Sequence, residues 1–215
     1  MSARVKICGI NTADAMAAAL EARADLVGLV FFPPSPRAVT LEVAQPLADY
    51  ARGYAGIVAL VVDASDDDIE GIVATIDPDM LQLHGNESPQ RVAAIRERFG
   101  KAVMKAIKIA TADDARAALH YRGVADLILF DAKPPAGADR PGGHGVAFDW
   151  QVLADVRHEI AFMLSGGLHP GNVAESIRAT GATVVDVSSG VESAPGIKDP
   201  HLIAAFIRAA KGTPT

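Results

Sequence analysis

Eight short β-rich runs, each followed by an alanine-rich helical pattern, predict a closed (β/α)8 or TIM barrel for this 215-residue chain. Two further observations point the same way. The length fits a single domain spanning residues 1–215, with 50% hydrophobic content to fill a core and no Pro/Gly/Ser-rich linker to divide it. Polar residues also recur on one face near the carboxyl ends of the runs, which is where a barrel of this kind builds its site. A doubly wound open sheet is the alternative.

The strand runs are residues 5–8, 26–31, 57–62, 80–84, 103–107, 127–131, 161–164 and 184–188. Helical patterns such as 12–24 and 200–210 follow them, and Thr12, Thr40, Ser65, Ser88 and Thr111 stand where a hydroxyl can cap free backbone N–H groups. Because strand side chains alternate faces, Lys6 and Cys8 share a face of the first strand, Gln82 and His84 of the fourth, and Asp186 and Ser188 of the eighth. On the sixth, Asp131 shares its face with Leu127 and Leu129, leaving Ile128 and Phe130 to meet the helices. These polar sets are expected to face inward. For Lys6 and Asp186 a buried structural pair between neighbouring first and eighth strands competes with a functional role.

Charge and cysteine content exclude several classes. A net charge of −6 and a pI near 5.5 provide no basic footprint, so neither nucleic acid nor an anionic membrane surface is an expected partner. The single cysteine rules out an intramolecular disulfide and any multi-cysteine metal site, and fits a reducing compartment, the cytoplasm being the simplest. Residues 1–4 carry no signal-peptide core, and apolar runs such as 55–62 are too short to span a bilayer.

Four segments carry potential chemistry. Cys8 ends an apolar strand; it is either a small buried hydrophobe, the commoner fate of a free cysteine, or a reactive thiol. Two glycine-rich turns, Ser165-Gly166-Gly167-Leu168 and Ser188-Ser189-Gly190-Val191-Glu192, follow the last two strands, where barrels of this type frequently bind phosphate through backbone N–H groups at a helix start. A proline-stiffened loop, residues 32–37, presents Arg37, whose fork of donors suits a carboxylate as well as solvent. Finally, Pro141-Gly142-Gly143-His144-Gly145 lies in a long connection after the sixth strand, expected to close over a substrate, with His144 either touching it or simply solvated.

Taken together, Lys6-Ile7-Cys8-Gly9-Ile10, Ser35-Pro36-Arg37, Gln82-Leu83-His84-Gly85-Asn86-Glu87, Phe148-Asp149-Trp150, Leu164-Ser165-Gly166-Gly167-Leu168 and Ser189-Gly190-Val191-Glu192 resemble the phosphoribosylanthranilate isomerase family of tryptophan biosynthesis nearly end to end. The resemblance implies a (β/α)8 barrel that performs an Amadori rearrangement of N-(5-phosphoribosyl)anthranilate without cofactor or metal, as a monomer or homodimer. It implies Cys8 as general base and Asp131 as general acid. It further implies substrate contacts from Arg37, His84, Asp186, Gly166, Gly167, Ser189 and Gly190, with Arg37 on the anthranilate carboxylate and the glycine turns on the phosphate. His144 departs from the small hydroxyl residue more usual in the family's glycine-rich loop. The chemistry would require Asp131 to hold a proton above the ordinary carboxylate range, and a positive field, with Lys6 as its source, to favour the Cys8 thiolate. Another sugar-phosphate isomerase or epimerase on the same fold, and a non-catalytic phosphate-ligand sensor, are the rival readings.

Overall fold

The computed structural model describes residues 2–133 and 148–213. Eight parallel strands close on themselves in sequence order: β1 (Arg4–Cys8), β2 (Leu26–Phe31), β3 (Gly56–Val61), β4 (Met80–Leu83), β5 (Ala102–Ile109), β6 (Leu127–Ala132), β7 (Phe162–Leu164) and β8 (Val184–Val187). The seam is β8 against β1, with Lys6 opposite Asp186. The open doubly wound sheet is thereby excluded, and the strand ends differ from the expected ones by one or two residues. His84 and Ser188 lie just beyond their strands, in the loops that form the barrel's mouth.

Alternation of side chains creates two cores. Val5, Ile7, Ile128 and Phe130 point outward and pack beneath the helices. Leu26, Val58, Met104, Ala106, Leu129 and Met163 fill the barrel interior instead. Every one of these is buried, and truncating such a side chain, as in Leu129→Ala, costs about 2–5 kcal/mol. Above this apolar plug, which is the floor of the site, the inward positions turn polar on β4, β6 and β8, while Val30 and Leu60 keep β2 and β3 apolar beside Cys8.

Among the described residues seven helices surround the sheet: α1 (Ala13–Glu21), α2 (Leu41–Ala51), α3 (Asp66–Ile76), α4 (Pro89–Phe99), α5 (Ala112–Ala117), α6 (Val173–Thr180) and α7 (Pro200–Lys211). All five expected caps form: the hydroxyls of Thr12, Thr40, Ser65, Ser88 and Thr111 accept from backbone N–H groups three residues on. Each such cap contributes about 1 kcal/mol.

The pattern of eight helices is not fully realised. Among the described residues the sixth unit holds only a 3-10 turn, Trp150–Leu153, capped by Asp149, with Leu153 and Val156 filling the outer layer where a helix was expected. After β8 the chain makes a 3-10 turn, Ser189–Val191, then an unexpected antiparallel hairpin of β9 (Glu192–Ala194) and β10 (Ile197–Lys198). Pro195-Gly196 explains it: proline presets the first turn position and Gly196 adopts φ +82° at the second. His144 and its glycine-rich neighbours lie outside the described residues. No helix among the described residues is long and apolar enough to cross a membrane.

Candidate active site

A cavity with about 190 Å³ of water-accessible space opens at the carboxyl ends of the strands. Cys8, Arg37, His84, Asp131, Asp186, Gly166, Gly167 and Ser189 all line it, together with Gln82, Ser165 and Ser188. The topology alone brings these together, since they come from β1, β2, β4, β6, β7 and β8 or the loops that follow them.

On the β1–β8 side the site is built from charge. Lys6 is fully buried, and its Nζ donates to Asp186 Oδ1 at 2.8 Å; Ser165 Oγ donates to Asp186 Oδ2 at 3.0 Å. The structural pair read from the sequence therefore exists, and it also stands beside the thiol. Burial works to lower the pKa of Lys6, but the Asp186 carboxylate, with Cys8 beside it, more than offsets this and holds it above the ordinary lysine value. Lys6 is thus a cation. The Cys8 thiol itself is pushed up by burial; Lys6 and Lys198 pull it down, Asp186 pushes it further up, and the net direction is upward. The expected positive field is present, yet desolvation outweighs it.

Arg37 is not free to point at will. It is buried, and its Nε and Nη2 donate to the two carboxylate oxygens of Glu192 at 2.7 and 2.8 Å. Glu192 also accepts from Lys198 Nζ at 2.8 Å. Burial would raise the Glu192 carboxyl, but Arg37 and Lys198 hold it below the ordinary range. Lys198 in turn donates to the Ser188 carbonyl, while Ser188 Oγ donates to the Cys8 carbonyl at 3.1 Å. The sequence reading missed Glu192 and Lys198 as site residues. Lys198 reaches the mouth only because the β9–β10 hairpin folds back, and the Pro-Gly pair was the one signal of that hairpin.

On the β4–β6 side the contacts are different in kind. His84 Nε2 lies 3.2 Å from Asp131 Oδ2, and its Nδ1 lies 3.0 Å from Gln82 Nε2. Asp131 is almost buried at the cavity wall. His84, expected to touch substrate, is first of all a neighbour of Asp131.

The glycine turns pack as one unit. Gly166 adopts φ +84°, and a Cβ there would meet the Ala132 backbone nitrogen at 2.2 Å; one on Gly190 would meet the Leu168 carbonyl at 1.9 Å. Gly190 is not among the residues that line the cavity. Neither Gly166 nor Gly167 donates its backbone N–H to a described residue. The expectation that both turns open helices holds only in part: a 3-10 turn starts at Ser189, but α6 begins at Val173, several residues beyond Leu168. His169 and Asn172 bridge that gap through a hydrogen bond of 2.8 Å.

A barrel whose mouth gathers polar and ionisable side chains around one small cavity, with glycine-rich turns beside them, has the form of an enzyme active site on this fold. The family profile described as N-(5'phosphoribosyl)anthranilate (PRA) isomerase matches residues 5–209. The chain belongs to this family. An N-(5'-phosphoribosyl)anthranilate isomerase of Rhodopseudomonas palustris (strain BisA53) is 59% identical, over 97% of this chain and 96% of its own length. The crystal structure of phosphoribosyl anthranilate isomerase from Thermotoga maritima superposes with a TM-score of 0.89 at 36% identity, covering 98% of this chain and 99% of that one. A second crystal structure, of such an isomerase in complex with reduced 1-(o-carboxyphenylamino)-1-deoxyribulose 5-phosphate, gives a TM-score of 0.86 at 34% identity, covering 98% and 99%.

Proposed function

We propose that the chain isomerises N-(5'-phosphoribosyl)anthranilate to 1-(2-carboxyphenylamino)-1-deoxyribulose 5-phosphate, an aldose–ketose rearrangement of tryptophan biosynthesis, with Asp131 as general acid and Cys8 as general base. The observation that carries the reading is that these two side chains line one cavity in a chain of this family.

The reaction runs in three balanced steps. Asp131 gives its proton to the furanose ring oxygen as the C1–O bond breaks, and the substrate nitrogen lone pair forms the C=N bond of a Schiff base. Cys8, as thiolate, takes the proton from sugar C2, so the C2–H electrons form a C1=C2 double bond and the C=N electrons return to nitrogen. The resulting enolamine tautomerises to the ketone, gaining a proton at C1 and losing one from the C2 hydroxyl. Each proton transfer from or to a positioned side chain contributes about 10²–10⁴-fold.

Anchoring at both ends places C2 between acid and base. Arg37 receives the anthranilate carboxylate on the Nη1–Nη2 end of its fork, Glu192 occupying the other edge. The phosphate lies against the Gly166, Gly167 and Ser189 turns, where unpartnered N–H groups favour an anion, and Gly190 keeps the turns close enough to act together. Asp186 supports the base side through Lys6, and His84 supports the acid. The single thiol suits the cytoplasm, with the protein a single-domain monomer or homodimer that light scattering would distinguish.

Fluorescence-monitored turnover of phosphoribosylanthranilate tests the assignment. Cys8→Ser and Asp131→Asn are each expected to lose about 10²–10⁴-fold in kcat with folding intact. Near wild-type turnover in either variant removes that residue from its role. Binding of substrate without turnover by the unaltered protein would favour a sensor instead.

A further inference from the structure

Gln82 is 1% exposed and shares the inward face of β4 with His84, yet the mechanism above gives it nothing to do. Its amide Nε2 lies 3.0 Å from His84 Nδ1, and its Oε1 is buried with no hydrogen-bond partner among the described residues. An amide nitrogen can only donate, so Nε2–H donates to the ring. A ring nitrogen that accepts carries no proton. Nδ1 is therefore bare, and the neutral ring holds its proton on Nε2, which faces Asp131 Oδ2 at 3.2 Å.

We propose that Gln82 is a positioning residue for the acid: by donating to His84 Nδ1 it fixes the tautomer in which Nε2–H donates to Asp131 Oδ2. That oxygen is then an acceptor before and after proton transfer, and the transferable proton is confined to Oδ1. As the proton leaves, the same Nε2–H bond strengthens on the forming carboxylate, so the relay favours the acid's conjugate base without adding a permanent charge. The inference rests on the reading of Asp131 as general acid.

Nitrogen-15 NMR of the full-length protein labelled at histidine, with His84 assigned by its loss in His84→Asn, reads the tautomer directly. The expected result is a neutral His84 protonated at Nε2. Gln82→Met keeps the length and bulk but cannot donate, and should give mixed His84 tautomers and a kcat lower by about tenfold or more, with KM little changed. Gln82→Glu accepts from Nδ1–H and should shift the His84 proton to Nδ1, with at least as large a loss. A wild-type His84 protonated at Nδ1 overturns the proposal even if no variant folds; so does Gln82→Met with unchanged kcat and tautomer. These failures are separable from failure of the acid assignment, which would appear as turnover retained in Asp131→Asn whatever Gln82 does.

Discussion

The two sides of the cavity are held by contacts of opposite kind. The side built from β1, β8, the loop after β2 and the β9–β10 hairpin is dense in permanent charge: Lys6 with Asp186, and Arg37 and Lys198 with Glu192, all buried or nearly so. The wall from β4 and β6 holds its carboxylic acid with an imidazole and an amide, neither of which needs to be charged. Under the proposed roles, cations help the thiol lose its proton, whereas neutral donors support the carboxyl without adding a permanent charge beside it. In this protein the cations only partly succeed, because burial still leaves Cys8 above the ordinary thiol value.

The sharpest way to break this contrast is to remove a charge from the first wall. Lys6→Met leaves Asp186 buried without its cation, and is expected to cost about 3–5 kcal/mol in denaturant unfolding. The Lys6→Met/Asp186→Asn pair should recover part of it. If Lys6→Met costs no more than an exposed substitution, this wall is not held by charge.

A smaller effect is expected from Glu192→Gln, which deprives Arg37 and Lys198 of their shared carboxylate and should cost about 1.5–3 kcal/mol. Here pH gives a second measurement. The folded carboxyl lies below its unfolded value of about 4.3, so its stabilisation is complete above that pH and is lost as pH falls through the folded value. Acid titration of unfolding stability should therefore be flatter in Glu192→Gln than in the wild type.

The smallest effect concerns the thiol. If Cys8 is the base, kcat/KM should climb with pH and level off only above about 8.5, the value of a free thiol. Lys198→Met removes one of the two cations pulling the thiol down, which moves the rise to still higher pH and lowers kcat/KM at neutral pH while leaving the alkaline plateau in place. An unmoved profile would assign the field at Cys8 to Lys6 alone.

Sequence reasoning was most successful where the physics is local or periodic. The five hydroxyl caps, the outward Ile128 and Phe130, and the inward pairs on β1, β4 and β8 all follow from spacing within a few residues. The Lys6–Asp186 pair was legible because barrel closure makes the first and eighth strands neighbours. What escaped depends on contacts no local pattern encodes: Arg37 meets Glu192 across 155 positions, and Lys198 enters the site through a hairpin in place of a direct run into α7. Among the described residues the sixth unit lacks its helix for a related reason, since Leu153 and Val156 can fill the outer layer from 3-10 and turn backbone without a full helix.

The seam between β1 and β8 also governs when the site comes into being. Lys6 and its carboxylate partner are 180 residues apart, so Cys8 leaves the ribosome long before its surroundings exist. At about 5–20 residues per second, roughly 10–40 s of synthesis separate them. Throughout that interval the nascent chain carries an unshielded thiol near its start, free of Lys6's counter-ion and of the Ser188 hydroxyl that later grips the Cys8 carbonyl. Synthesis of β8 is thus the event that both closes the sheet and covers the sulfur, and a chain stalled before β8 is expected to be open to alkylation at Cys8.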